Sequence, residues 1–182
     1  VTYTINGGAN QTITTVSGNS VTVSAPTNMP GTFVYNLVSI ADASPAVCAQ
    51  PQTGSVTIQV NPLPTATISG TFSICKNGAP PNITFTAAGG AVAPYTFTYN
   101  INGGPNQTVS TVSGNSVTVA VPTSVAGTFT YNLLNVSDAS TTLCGQAQSG
   151  SATVTVIELP TANITGTTEV CLNGTSPLIT FT

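Results

Sequence analysis

The nine residues TVSGNSVTV occur twice, at positions 15–23 and 111–119. Shifting the chain against itself by 96 positions, the separation of Cys48 from Cys144 and of Cys75 from Cys171, aligns everything else without a gap. About 51 of the 86 superposable positions are then identical. A unit of this length is domain-sized, so the chain reads as an array of small folded modules and not as a short-repeat solenoid. Pro64 and Pro160 punctuate it one period apart. They divide the chain into a partial module at 1–64, a complete one at 65–160 and a second partial one at 161–182.

Within the complete module almost nothing reads as helix, because Thr, Val, Ser, Asn and Gly dominate. Residues 65–75 (TATISGTFSIC) read as strand A, with Gly70 marking a bulge or kink. Strand B is 83–87, with Ile83 and Phe85 on one face. After a Gly-Gly loop, 95–101 (YTFTYNI) sets Tyr95, Phe97, Tyr99 and Ile101 against Thr96, Thr98 and Asn100, the cleanest two-residue alternation in the chain. This is strand C. The NGGPN turn leads into a short strand at 107–112. Strand E follows at 116–121 with Val117, Val119 and Val121 inward. In strand F, 128–137, the apolar row slips from Phe129, Tyr131 and Leu133 to Leu134 and Val136, the mark of a β-bulge near 133–135. A long polar loop with Cys144 precedes strand G, 150–156. Seven short antiparallel strands in under 100 residues describe an all-β, immunoglobulin-like sandwich, with an up-and-down barrel as the structural alternative.

Charge narrows the function. The chain has one Lys, Lys76, and four carboxylates, Asp42, Asp138, Glu158 and Glu169, with no Arg or His. Its 3% charged content lies far below the roughly 25% of ordinary domains. Nucleic-acid binding lacks the basic track that phosphates need. No apolar run approaches the ~18 residues of a membrane span, so no membrane insertion is expected of these residues. Without His, and with carboxylates so dispersed, no catalytic residue and no cofactor site is assigned. Asp42 and Asp138 repeat at the period, each alone after strand F, where a lone Asp caps its own backbone. Calcium needs six or more oxygens, and zinc would want paired cysteines, so no metal site is assigned either. An isopeptide bond would need a repeating Lys, yet Leu172 stands where the next copy would carry Lys76. Most tyrosines sit in apolar rows and belong to the core. Tyr95, heading strand C beside a loop, is the candidate exposed aromatic for stacking on a sugar ring.

The joint pattern resembles the PKD-like, immunoglobulin-like repeats of large Bacteroidota surface proteins, gliding adhesins among them. It is carried by ITFTAAGG (83–90), APY (93–95), GTFTYNL (127–133), VSDAS (136–140), GSATVTV (150–156) and the linkers NPLPTATISG (61–70) and PTANITG (160–166). Many PKD domains carry WDFGDG at the end of strand C. This chain has YNINGG (99–104), so nothing tied to that acidic turn carries over. The resemblance implies a secreted, surface-displayed repetitive protein that forms a stalk or fibre. That class is exported by type IX secretion and often mediates adhesion. Its implied partners are neighbouring copies of the repeat, end to end, and surface polysaccharide. The alternatives are a carbohydrate-binding array, or an accessory array of a secreted polysaccharide-active enzyme.

In an extracellular setting disulfides are the default for Cys48, Cys75, Cys144 and Cys171. Strand alternation places Cys75, ending strand A, and Cys144, between F and G, at opposite ends of the module, over ~20 Å apart. A disulfide tolerates Cα separations of no more than ~7 Å. The expected pairing is therefore from each strand-A Cys to the F–G Cys of the following module. A Cys75–Cys144 bond and free thiols remain the alternatives.

Overall fold

The computed structural model describes residues 1–90 and 92–182, so Ala91, in the loop expected before strand C, lies outside it. Every regular element is a strand. The first repeat contributes β1 (Thr2–Ile5), β2 (Gln11–Thr12), β3 (Gly31–Ala41), β4 (Ala49–Pro51) and β5 (Ser55–Val60). The complete repeat runs through β6 (Pro64–Ser69), β7 (Phe72–Cys75), β8 (Asn82–Gly89), β9 (Thr96–Ile101), β10 (Gln107–Ser110), β11 (Ser116–Ala120), β12 (Gly127–Ser137), β13 (Gly145–Ala147) and β14 (Ser151–Ile157). A small hairpin, β15 (Ile164–Thr165) and β16 (Thr180–Phe181), closes the chain.

The complete repeat is a two-sheet sandwich. One sheet has the order β11-β8-β6 and the other β10-β9-β12-β14-β7, with β13 paired to the end of β12. Alternation determines what lies between them. Ile83, Phe85 and Ala87 of β8 face Phe97 and Tyr99 of β9, Tyr131, Leu133 and Val136 of β12, and Ala152, Val154 and Val156 of β14. Burial removes these side chains from water, and their intervening Thr, Asn and Ser neighbours face outward. The Phe85 ring sits 5.1 Å from Tyr99 and 5.6 Å from Phe97, and Tyr99 stacks on Tyr131 at 6.0 Å. Such offset contacts suit the ring quadrupoles.

Two expected irregularities are present and one is larger than expected. The β12–β9 register shifts between Leu133 and Asn135, the bulge that lets both Leu133 and Val136 point inward. Gly70 does more than kink one strand. It divides the expected strand A into β6, antiparallel to β8, and β7, which crosses to the other sheet and pairs in parallel with β14. Gly70 has φ +115°, and a Cβ there would lie 2.5 Å from the Asn82 carbonyl oxygen. Only glycine accommodates both the dihedral and the close approach. The expectation of purely antiparallel pairing is thus corrected, since alternation reports a strand's inward face but not its neighbour.

The first repeat has the same β1–β3 and β3–β5 pairings as β9–β12 and β12–β14. Its residues 13–30 form no strand.

Candidate functional site at the loop end of the complete repeat

At one end of the sandwich β6 begins, β8 ends, β9 begins and β12 runs out into the loop carrying Cys144. That loop is held by its own polar groups. The buried Asp138 carboxylate accepts from the Ser140 N–H at 3.1 Å and the Ser140 hydroxyl at 2.6 Å. The Asp138 N–H donates to the Cys144 carbonyl at 2.9 Å, and the Cys144 N–H donates to Ser140 Oγ at 3.3 Å. Asp42 repeats the arrangement, accepting from the Ser44 hydroxyl at 2.7 Å, the Ser44 N–H at 3.2 Å and the Cys48 N–H at 2.9 Å. The Ser44 hydroxyl, then its N–H, hold the Asp42 carboxyl below its ordinary range. Both aspartates therefore spend their acceptors on a turn that presents a cysteine, as lone loop aspartates do. In the complete repeat the Cys144 sulfur lies 3.1 Å from Thr142 Oγ1, and the same hydroxyl accepts from Asn61 Nδ2 at 3.3 Å. The linker from the first repeat thus touches the loop that carries Cys144.

Cys75 stands at the other end. It pairs in register with Ile157, and the Lys76 N–H donates to the Ile157 carbonyl at 2.8 Å. Val156 lies opposite Gly127, the first residue of β12, whereas the Cys144 loop follows Ser137, its last. The length of β12 therefore separates Cys75 from Cys144 by roughly 30 Å, against the ~7 Å a disulfide allows. The four cysteines carry no disulfide in this chain, and Cys48, Cys75 and Cys171 are exposed.

Tyr95 is not the exposed aromatic expected of it. Its ring is half-buried, packed against the core and over Gly90, and its hydroxyl donates to the Gly89 carbonyl at 3.0 Å. Its backbone N–H donates to the buried Thr111 hydroxyl at 2.9 Å, while Thr111 N–H returns a bond to the Tyr95 carbonyl. Two backbone-anchored contacts seat the ring as a strut between loops instead of leaving it as a platform. The exposed apolar side chains fall elsewhere. Val16 and Val112 stand fully exposed beyond β2 and β10, where the TVSGNS turn lifts them clear of the sheet. Alternation had placed Val112 at the end of a strand.

Of the remaining charges, two meet each other. Lys76 Nζ pairs with Glu158 at 2.9 Å on the surface. Burial, and for Tyr131 also the neighbouring Tyr99, push both tyrosine hydroxyls above their usual pKa. Among the described residues no three His, Cys, Asp or Glu side chains converge on a point where a metal could sit. Among the described residues no helix is long and apolar enough to cross a membrane.

No protein-family model matches the chain, and no curated protein matches it. Among solved structures it is similar to a Ca2+-stabilized adhesin said to help an Antarctic bacterium reach out and bind ice. The identity is 21% and the TM-score 0.41, over 75% of this chain and 34% of that one. The chain therefore spans about a third of that protein's length.

Proposed function

We propose that this chain is a structural segment of an extracellular bacterial stalk or fibre, the spacer of a large surface adhesin. On this reading its immunoglobulin-like, PKD-like modules, at 1–64, 65–160 and 161–182, follow one another end to end. The observation that supports it is the gapless repetition of the sequence at 96 residues, in a chain whose polar chemistry is turned inward on its own loops. Asp42, Asp138 and Glu158 each hold the chain's own turns or strand ends. A spacer needs many interchangeable copies, whereas a single recognition site does not.

The topology suits this role. β6 begins at the Cys144 loop end and β14 leaves at the opposite end, so each module lengthens the array by its full strand length. Eleven residues of β12 correspond to roughly 35 Å. If modules follow one another end to end, each Cys75-type thiol would come to face the next module's Cys144-type thiol, and we propose intermodule disulfides between them. Electron microscopy of the secreted fibre tests the reading. Straight rods with an axial period of about 35–45 Å are expected. A glycan array probed with the 182-residue chain should give no saturable binding. Freely jointed beads, or specific binding of one glycan class, would overturn it.

A further inference from the structure

We infer that one flank of the complete repeat is an interaction surface for a second copy of this chain, which joins it side by side through edge-to-edge pairing of β10. The contact itself stands on the geometry of the sandwich. The end-to-end reading enters only in counting how many such contacts two copies make.

The edges of the two sheets fall on two flanks. β6 and β7 are the edges on one flank, and they belong to one segment that crosses between the sheets at Gly70. That flank is guarded. Pro64 opens β6, Lys76 directly follows β7, and the Ala66 N–H, which points away from β8, donates to Gln148 Oε1 at 3.0 Å. Proline, charge and a covering side chain are devices that keep an edge from pairing further. β10 and β11 are the edges on the other flank, joined by the turn at 111–115. Residues 107–120 hold no charge and no proline.

The ladder shows which groups of β10 are open to a partner. Thr111 N–H donates to the Tyr95 carbonyl at 2.9 Å, while Ser110 lies opposite Thr96 and Thr108 opposite Thr98. Antiparallel pairs alternate, so the backbone groups of Val109 and Gln107 also turn toward β9, and those of Thr108 and Ser110 turn outward. A second β10, approaching antiparallel about a two-fold axis at Ser110, meets them with its own Thr108 and Ser110. Thr108 of each copy then lies against Val112 of the other, which gives an apolar contact to a side chain 100% exposed in the single chain. With no charge on either edge, self-approach meets no like-charge repulsion.

The repetition points the same way. TVSGNSVTV, identical in both copies, covers this turn and most of β11, and its residues 112–116 are exposed, so core packing does not demand their identity. The equally exposed residues 141–143 differ from 45–47 at every position. One contact between edges this short falls below the ~1,000 Å² of a lasting interface. Edges repeated every 96 residues add their contacts only on a partner with the same spacing, and a second copy of this chain has it.

Amide hydrogen exchange on the 182-residue chain under reducing conditions tests this. Exchange at Thr108 and Ser110 should be about tenfold slower at millimolar than at micromolar concentration. The double variant Thr108→Lys/Ser110→Lys sets like charges across the contact, at positions exposed in the single chain. It should lose that protection while β9 and β12 keep theirs. Thr67→Lys, the same change of charge on the guarded flank, should leave the protection intact. Exchange at Thr108 and Ser110 that does not respond to concentration would overturn the inference. So would protection that survives in the double variant, or that Thr67→Lys removes as well. Each of these failures leaves the end-to-end reading standing, since straight rods of fixed axial period do not depend on this flank.

Discussion

Replacing Gly70 by Ala should be among the most damaging single-methyl changes this chain can suffer. At φ +115° an L side chain is strained by about 1–3 kcal/mol. The new Cβ would also sit 2.5 Å from the Asn82 carbonyl oxygen and 3.1 Å from the Ile83 Cα, both backbone atoms of β8 that cannot swing aside. Relieving that overlap means moving a central strand of the sandwich, which costs a further ~1–3 kcal/mol. The expected loss is about 3 kcal/mol or more. For a domain of this size that is a fall of roughly 12 °C or more in Tm. Gly103→Ala is the control, because Gly103 also has positive φ, at +72°, but its Cβ would meet nothing within 4 Å. That change should cost only about 1 kcal/mol. Urea unfolding followed by hydrogen exchange at β8 and β14 isolates the complete repeat from the ends. Equal losses in the two variants would refute the claim that close approach to β8, and not the dihedral alone, demands glycine at position 70.

Lys76→Gln removes an ion pair that is largely open to solvent, so stability should fall by less than about 1 kcal/mol and salt should change it little, as urea titrations at two ionic strengths will show. The lowered pKa of Asp42 favours the folded loop above its unfolded value of 3.8, and this contribution is lost as pH falls through the lower folded pKa. The Ser44 and Cys48 amide resonances should therefore titrate with a midpoint below 3.8. Calcium chelation should leave the unfolding midpoint of the chain unchanged, because no donor set among the described residues converges on an ion. A chelator-dependent shift in a melting curve would show otherwise. Mild oxidation of the chain at low concentration should yield no Cys75–Cys144 bond by peptide mapping, since β12 holds the two thiols at opposite ends.

Much of this architecture was legible because β structure writes its inward face into every second residue. The rows Phe97–Tyr99, Val154–Val156 and Ile83–Phe85 were readable one strand at a time, and so was the slip at Leu133–Asn135. The 96-residue period then divided the chain without reference to any structure. Alternation carries no information about which strand lies alongside, so the crossing of β7 to the second sheet could not be read from it. Gly70 was the only local signal, and it marks a change of direction without stating where the chain goes. At the loop end the limits were similar. The lone Asp after strand F foretold a turn, and the structure adds that this turn carries Cys144 next to the linker residue Asn61. Tyr95 was misplaced because its partners, Gly89 at the end of β8 and Thr111 after β10, lie in other segments, and a one-dimensional pattern does not join them.

The parallel pairing of β7 with β14 bears on how the chain answers tension. The two strands belong to opposite ends of the repeat. Traction applied through Pro64 draws β7 toward the Cys144 end, while traction applied beyond Ile157 draws β14 the other way. The pair is then sheared along its length. Its hydrogen bonds, from Phe72–Val154 to Cys75–Ile157, lie across the direction of pull and must yield together. An antiparallel hairpin pulled apart from its open end surrenders its bonds one at a time. By crossing sheets at a single glycine, this repeat places a short zipper between its two points of attachment, in the orientation that resists opening.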